Sequence, residues 1–196
     1  ALGSGEITPV ELAKAYAYFS NGGYGIEPYL IEQVRTRDNE IIYVENPIRV
    51  CGNPCDYVSL DILQFPSASS AEEISELREK AGLPRFASQT VDPRNVYLMV
   101  SMMKDVVKYG TAKKAKVLKR SDIAGKTGTT NESKDLWFFG LTPRYVIGVY
   151  VGYDDPKSLG KFETGSKAAL PIFESFIKKA VNKKQARPFK VPKNIK

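Results

Sequence analysis

The run from Asp122 to Tyr153, DIAGKTGTTNESKDLWFFGLTPRYVIGVYVGY, decides the architecture. It holds three extended stretches, Asp122–Thr129, Leu136–Leu141 and Tyr145–Tyr153, joined by short polar connections. The third is dense in β-branched and aromatic residues (Val146, Ile147, Val149, Tyr150, Val151, Tyr153), which suit a pleated surface. Thr142-Pro143-Arg144 is short enough for a hairpin loop, so the pairing is expected to be antiparallel.

Outward from this run the period changes to helical. Downstream, Leu170-Pro171 opens a helix whose stripe is Ile172, Phe173, Phe176, Ile177, Ala180 and Val181. Upstream, Asp92-Pro93 starts a helix from Arg94 to about Tyr109, rich in Val, Leu and Met and stopped by Gly110. Thr8-Pro9-Val10-Glu11 is a capping box with proline at the first helical position, and Asn21-Gly22-Gly23 ends that helix. Tyr29–Val34 and Glu40–Val44, around Thr36-Arg37-Asp38-Asn39, read as a hairpin. Residues 46–70 are irregular; a second capping box, Ser70 with Glu73, begins a short helix that stops at Gly82 and Pro84. Antiparallel strands with helices that must bury a face give an α+β layer fold.

Composition narrows the chemistry. The 196 residues are 42% hydrophobic and 26% charged, and none is histidine. Every Ser-His-Asp or Cys-His system built within the chain is excluded, as is every zinc site that needs imidazole. Two cysteines cannot make a structural zinc site by themselves. Lysine, hydroxyls, carboxylates and backbone amides remain. Of the net charge of +7, six charges lie in Asn182–Lys196, which has no acidic residue, so the first 181 residues carry only +1. That pattern reads as a solvated basic tail and not as a nucleic-acid surface, although an anionic polymer or membrane would suit it. No stretch approaches the length of a membrane span.

The sharpest motif is Gly125-Lys126-Thr127-Gly128-Thr129-Thr130. A P-loop needs glycine where Arg120 stands and a helix after the motif, whereas this one leads into an aromatic strand. The alternative is a strand lining a cleft. Lys126 and Gly128 would face one way and Thr127 and Thr129 the other. Lysine and hydroxyl donors around a glycine suit an anionic group such as a carboxylate. On these letters alone, an ordinary edge strand with an exposed lysine explains the motif as well.

The neighbouring blocks favour the cleft. The motif resembles the K-T-G strand of penicillin-recognising serine enzymes, and its surroundings resemble the transpeptidase domain of class A (bifunctional) penicillin-binding proteins. The matching blocks are Gly3-Ser4 through Thr8-Pro9-Val10-Glu11-Leu12-Ala13, Ala15-Tyr16-Ala17 with Asn21-Gly22-Gly23, and Val106-Val107 with Gly110-Thr111-Ala112. Further matches are Lys126 through Asn131 with Asp135, Trp137, Phe138 and Gly140, then Gly148-Val149 and Gly152-Tyr153-Asp154-Asp155. Glu163-Thr164-Gly165 through Ala168-Ala169-Leu170-Pro171-Ile172 completes the set.

The resemblance implies a serine acyl-transfer enzyme of peptidoglycan biosynthesis that cross-links D-Ala-D-Ala stem peptides and is acylated by beta-lactams. Lys126 would support the electrostatics and proton network, and Thr127 and Thr129 would hold the substrate carboxylate. The Thr129 backbone N–H would be half of the oxyanion hole, and Gly128 would keep the strand edge open. It implies no cofactor, no metal and no nucleic acid. It also implies a periplasmic, extracytoplasmic location in the cell envelope, with a membrane anchor and a glycosyltransferase domain upstream.

The departures are as informative. The family runs S-x-x-K, S-x-N, K-T-G along the chain, and none of the eight asparagines has serine two residues before it. Ser101–Lys104, Ser158–Lys161 and Ser175–Lys178 match S-x-x-K, about the number chance supplies. Two of them follow K-T-G and the first lies too close to it, so all three read as decoys. Residues 1–181 are therefore expected to be the C-terminal part of a transpeptidase domain, with 46–91 an irregular insert and 182–196 a basic tail. The nucleophile would lie upstream, this piece alone would be inactive, and an apolar face left bare would favour self-association. Competing readings are a serine beta-lactamase relative, and a non-catalytic module that binds peptidoglycan or an anion.

Cys51 and Cys55 bracket a turn, so a short-loop disulfide is geometrically open beside two free thiols; outside the cytoplasm the oxidised form is expected. Trp137, Phe138 and Phe139 read as sheet packing, and Asp154-Asp155 as a turn.

Overall fold

Thr8 starts the first helix as the sequence requires. Its hydroxyl accepts from the Glu11 N–H, and the Glu11 carboxylate accepts from the Thr8 N–H at 2.9 Å. A bond from the Thr8 hydroxyl to that carboxylate at 2.7 Å, and then the one from the Thr8 N–H, hold the Glu11 carboxyl below its ordinary range. Helix α1 (Pro9–Asn21) ends on Gly22, left-handed at φ 88. In this computed structural model the described residues are 7–50, 70, 73, 76, 77, 80–181 and 186–195. They form two units, residues 1–23 with 91–196, and residues 24–90.

The larger unit is built on three antiparallel strands, β3 (Ala124–Thr129), β4 (Leu136–Leu141) and β5 (Val146–Val151), in the order β3-β4-β5. The second helix, α2 (Pro93–Lys108), is capped by Asp92; the third, α3 (Ala169–Ala180), follows the sheet. Each strand begins or ends within two residues of its expected limit.

Register sorts the side chains onto two faces. Leu136 pairs with Val151, Phe138 with Val149 and Gly140 with Ile147, and of these Phe138, Ile147, Val149 and Val151 share a cluster with α3. Phe138 meets Phe173 edge to face at 4.9 Å. Gly140 must be glycine, since a Cβ there would lie 2.2 Å from the Phe173 ring. On the opposite face, Leu141 and Ala124 pack against Val96, Val100 and Met103 of α2 with Tyr16 and Phe19 of α1. After α2 the chain crosses to the α3 face, where Ala112, Ala115 and Leu118 are buried. Residues Lys113–Leu118 form a 3-10 helix that the lysine-rich sequence did not announce.

The tail departs from a solvated extension. Phe189 is only 8% exposed and sits among Val96, Val100, Ala124 and Leu141. Burying one aromatic side chain contributes about 1.5–3 kcal/mol, enough to offset the backbone ordering of about one or two residues at the docking point.

The smaller unit contains the hairpin β1 (Gln33–Arg35) and β2 (Ile41–Val44), with Asn39 left-handed in its turn. The first strand starts four residues later than expected, and Ile41, Ile42, Tyr43 and Val44 stay exposed. Arg49 forms a parallel bridge to Phe86. The Glu73 N–H donates to Ser70 Oγ at 3.1 Å, the expected first half of that cap. Cys51 and Cys55 lie outside the described residues. Among the described residues, no helix is long and apolar enough to cross a membrane.

Candidate functional site

Strand β3 has a neighbouring strand on one side only among the described residues, so the motif lies on an open sheet edge. Its register sets the faces. Lys126 pairs with Phe139 and Gly128 with Trp137 on the α1 side, while Thr127 pairs with Phe138 and Thr129 with Leu136 on the α3 side. The alternation expected of an extended chain is therefore kept through Gly128, without a bulge.

Each motif side chain has a definite partner. Lys126 Nζ donates to the carbonyl of Thr127 at 2.7 Å. Thr127 Oγ1 lies 2.8 Å from Thr111 Oγ1. Thr129 Oγ1 accepts from the backbone N–H of Gly165 at 3.2 Å. Gly128 is half-buried, and a Cβ there would come within 3.1 Å of the Trp137 Cβ. The two threonine hydroxyls stand on one face about 7 Å apart along the strand, close enough for one carboxylate to accept from both.

The end of the strand is fastened by a closed polar turn. The Thr130 N–H donates to the Asp135 carbonyl at 3.0 Å, and the Asp135 N–H donates to Thr130 Oγ1 at 2.8 Å. Between them Glu132 and Ser133 are both left-handed, at φ 61 and 55. Non-glycine residues adopt that conformation at a cost of order 1 kcal/mol each, so the surroundings must hold them there. They do: Ser158 Oγ donates to the Glu132 carbonyl at 2.7 Å, the Leu159 N–H to the Ser133 carbonyl at 3.0 Å, and Ser133 Oγ to the Glu163 carbonyl at 2.8 Å. This segment then delivers Gly165 to Thr129.

An aromatic row supports the other face. Tyr16 stacks on Phe139 at 4.7 Å, Phe139 on Trp137 at 5.8 Å, and Trp137 tilts against Tyr150 at 4.6 Å. Tyr150 donates its hydroxyl to Asp135 Oδ1 at 2.8 Å. That bond to a carboxylate pushes the phenol above its ordinary range. The row is sheet packing, as the sequence indicated.

The three serine–lysine pairs do not assemble a nucleophile. Ser101 and Ser175 are exposed on helices, and Ser158 is spent on the Glu132 carbonyl. Among the described residues no hydrogen bond joins any of these serines to its lysine. No cluster there has three or more carboxylate, cysteine or histidine groups placed for a metal, Asp154 and Asp155 included.

Thr111 and Gly165 are the site residues to which sequence reasoning gave no role. Both fall within blocks of family resemblance, yet they lie 16 and 36 positions from their partners in the chain. No periodicity links residues across such distances.

Comparison with known proteins agrees with this fold. Residues 1–178 match the family model of the penicillin binding protein transpeptidase domain. Penicillin-binding protein 1A of Pseudomonas aeruginosa is 39% identical over 207 residues, covering 100% of this chain and 25% of that protein. The protein of the same name in Neisseria meningitidis serogroup A is 36% identical over 195 residues, covering 100% of this chain and 20% of its own length. A crystal structure of penicillin-binding protein 1A from Haemophilus influenzae superposes with a TM-score of 0.76 at 31% identity, covering 95% of this chain and 28% of that one. Penicillin-binding protein A of M. tuberculosis, solved as an imipenem acyl-enzyme complex, shares the fold at TM-score 0.57 and 19% identity. The chain thus spans a quarter or less of the length of these curated relatives.

Proposed function

The chain belongs to the penicillin-binding-protein transpeptidase family, and from that premise we propose that it forms the K-T-G wall of a serine acyl-transfer site. The substrates are peptidoglycan stem peptides ending in D-Ala-D-Ala, and beta-lactams compete for the same wall. The serine nucleophile and its S-x-N partner come from polypeptide outside this sequence. The carrying observation is the open edge of β3 among the described residues, with the hydroxyls of Thr127 and Thr129 on one face, Gly128 between them and Lys126 immediately before them in sequence.

Each residue has a task in this reading. The hydroxyls of Thr127 and Thr129 donate to the substrate's terminal carboxylate, in charge-assisted hydrogen bonds about twice as strong as neutral ones. Along an antiparallel strand, N–H and C=O of one residue point the same way and alternate from residue to residue. The Thr127 carbonyl is reached by Lys126 Nζ, so parity offers the Thr129 N–H on that same side. There it serves as an oxyanion donor as the serine oxygen adds to the carbonyl of the penultimate D-Ala. The departing D-Ala amine takes a proton as the acyl bond to serine forms, and an amine of a second strand then displaces the serine. Lys126 supplies positive charge for the incoming carboxylate. Gly128 keeps bulk away from the wall where the peptide lies.

The whole protein then works in the cell envelope, on the periplasmic face of the cytoplasmic membrane, with an anchor and a glycosyltransferase domain upstream. The test is intact mass after incubation with benzylpenicillin, on this chain and on the full-length polypeptide. The expected result is an unmodified chain beside a full-length protein that gains one acyl group. An adduct on this chain mapped to Ser101, or no adduct on either, overturns the reading.

A further inference from the structure

We propose that Thr111 is a positioning residue for the Thr127 hydroxyl, and through it a determinant of affinity for carboxylate-bearing substrates. The inference rests on the transpeptidase reading and adds to it a residue outside the K-T-G strand.

A threonine hydroxyl has one proton to donate and two lone pairs that accept. A side chain that must donate to a carboxylate therefore works best when another group donates to it and leaves its proton nothing else to do. Thr129 already has this arrangement, because its oxygen accepts from the fixed Gly165 N–H at 3.2 Å. Among the described residues, no backbone N–H donates to the Thr127 hydroxyl oxygen. Its partner is Thr111 Oγ1 at 2.8 Å, a contact in which either oxygen can donate. Among the described residues, Thr127 is the one hydrogen-bond partner of the Thr111 hydroxyl. When a carboxylate takes the Thr127 proton, the Thr111 proton turns to Thr127. The result is a chain from Thr111 to Thr127 to carboxylate, in which each bond polarises the next.

The backbone under Thr111 is built to hold that hydroxyl in place. On one side the Tyr109 and Gly110 N–H groups donate to the Asp105 carbonyl at 2.7 and 3.0 Å, closing the end of α2. On the other, the Ala112 N–H donates to the Val106 carbonyl at 3.1 Å, and Ala112 is fully buried in the α3-side cluster. Gly110 has no room for a side chain, since a Cβ would lie 2.9 Å from the Val106 Cα. Thr111 itself is exposed. Its methyl and hydroxyl are therefore not needed to fill the core, and its anchored neighbours leave it little freedom. The Gly110-Thr111-Ala112 block reads physically as stop, donor, anchor.

The test uses the full-length polypeptide as wild type, Thr111→Val and Thr111→Ser. Second-order acylation rates are measured with benzylpenicillin and with its methyl ester, which lacks the anionic carboxylate. Valine is expected to slow acylation by the free acid about tenfold while changing the ester by less than about twofold, because the lost bond acts through the charge. Serine restores the free-acid rate. A valine variant that matches wild type with the acid overturns the proposal. So does one that slows acid and ester equally, which marks Thr111 as a structural staple, or a serine variant as slow as valine. A wild type that takes up no benzylpenicillin overturns the transpeptidase reading first, and this assignment with it.

Discussion

Replacing Gly165 with alanine puts a methyl group where the structure has backbone. The added Cβ would lie 2.2 Å from the Trp137 carbonyl oxygen and 2.6 Å from that of Gly128. Backbone atoms of a paired strand do not swing aside as a flexible side chain does, so the loop must yield. Restoring a contact of about 3 Å takes a retreat of about 0.8 Å. The N–H bond from Gly165 to Thr129 Oγ1, 3.2 Å long, then opens to about 4 Å, beyond hydrogen-bonding range. Overpacking costs about 1–3 kcal/mol and the lost bond about 0.5–1.5 kcal/mol, so the loop loses about 2–4 kcal/mol of its hold on β3. Local opening becomes roughly 30- to 700-fold more frequent. Limited trypsin digestion reads this directly, because Lys157, Lys161 and Lys167 all lie in the loop. Faster cleavage at these lysines is expected, together with slower acylation by benzylpenicillin in the full-length protein. A Gly165→Ala variant with wild-type nicking and wild-type acylation would refute the fastening of Thr129 by this segment.

Two further outcomes follow from charged groups away from the motif. Arg120 grips Asp122 through Nε at 2.9 Å and Nη2 at 2.7 Å, and both side chains are 3% exposed. Asp122→Asn leaves a guanidinium buried without its carboxylate and should cost about 3–5 kcal/mol; a change below about 1 kcal/mol in urea unfolding would exclude a structural role for the pair. At the start of α2, hydrogen bonds from the Arg94 guanidinium and then its N–H hold the Asp92 carboxyl at about 2, down from 3.8. Because the folded value is the lower one, the cap stabilises fully above about pH 4 and its contribution fades as pH falls through about 2. A carboxyl titration by NMR should place the Asp92 midpoint near 2 in the wild type and higher in Arg94→Ala; coincident midpoints would remove Arg94 as the cause.

What was legible in the sequence is what local chemistry dictates. The Thr8–Glu11 cap, the period-2 run of β5 and the amphipathic stripe of α3 each state their conformation within a few residues. The Lys113–Leu118 segment does not, because its lysines read as solvent-facing while Ala115 and Leu118 are buried at the three-residue spacing of a 3-10 turn. Phe189 was hidden for a related reason: one aromatic residue in a basic tail carries no periodicity, and only its docking between α2 and the sheet gives it meaning.

The candidate site divides along the same line, with a consequence for how such a site is held. Its residue types were readable from Lys126 to Thr129, because glycine, lysine and hydroxyls on one strand are a local pattern. Its precision was not, because an edge strand has lost the neighbour that would otherwise fix it. Three separate pieces stand in for that neighbour: Thr111 after α2, the Thr130–Asp135 turn, and the segment from Ser158 to Gly165. Lys126 completes the arrangement by spending its ammonium on the Thr127 carbonyl, and lysine is the residue that most often blunts an open edge against unwanted pairing. Among the described residues the edge thus keeps one unpaired side without being a bare template for another chain, and the motif side chains on it are set by contacts that no stretch of sequence spells out.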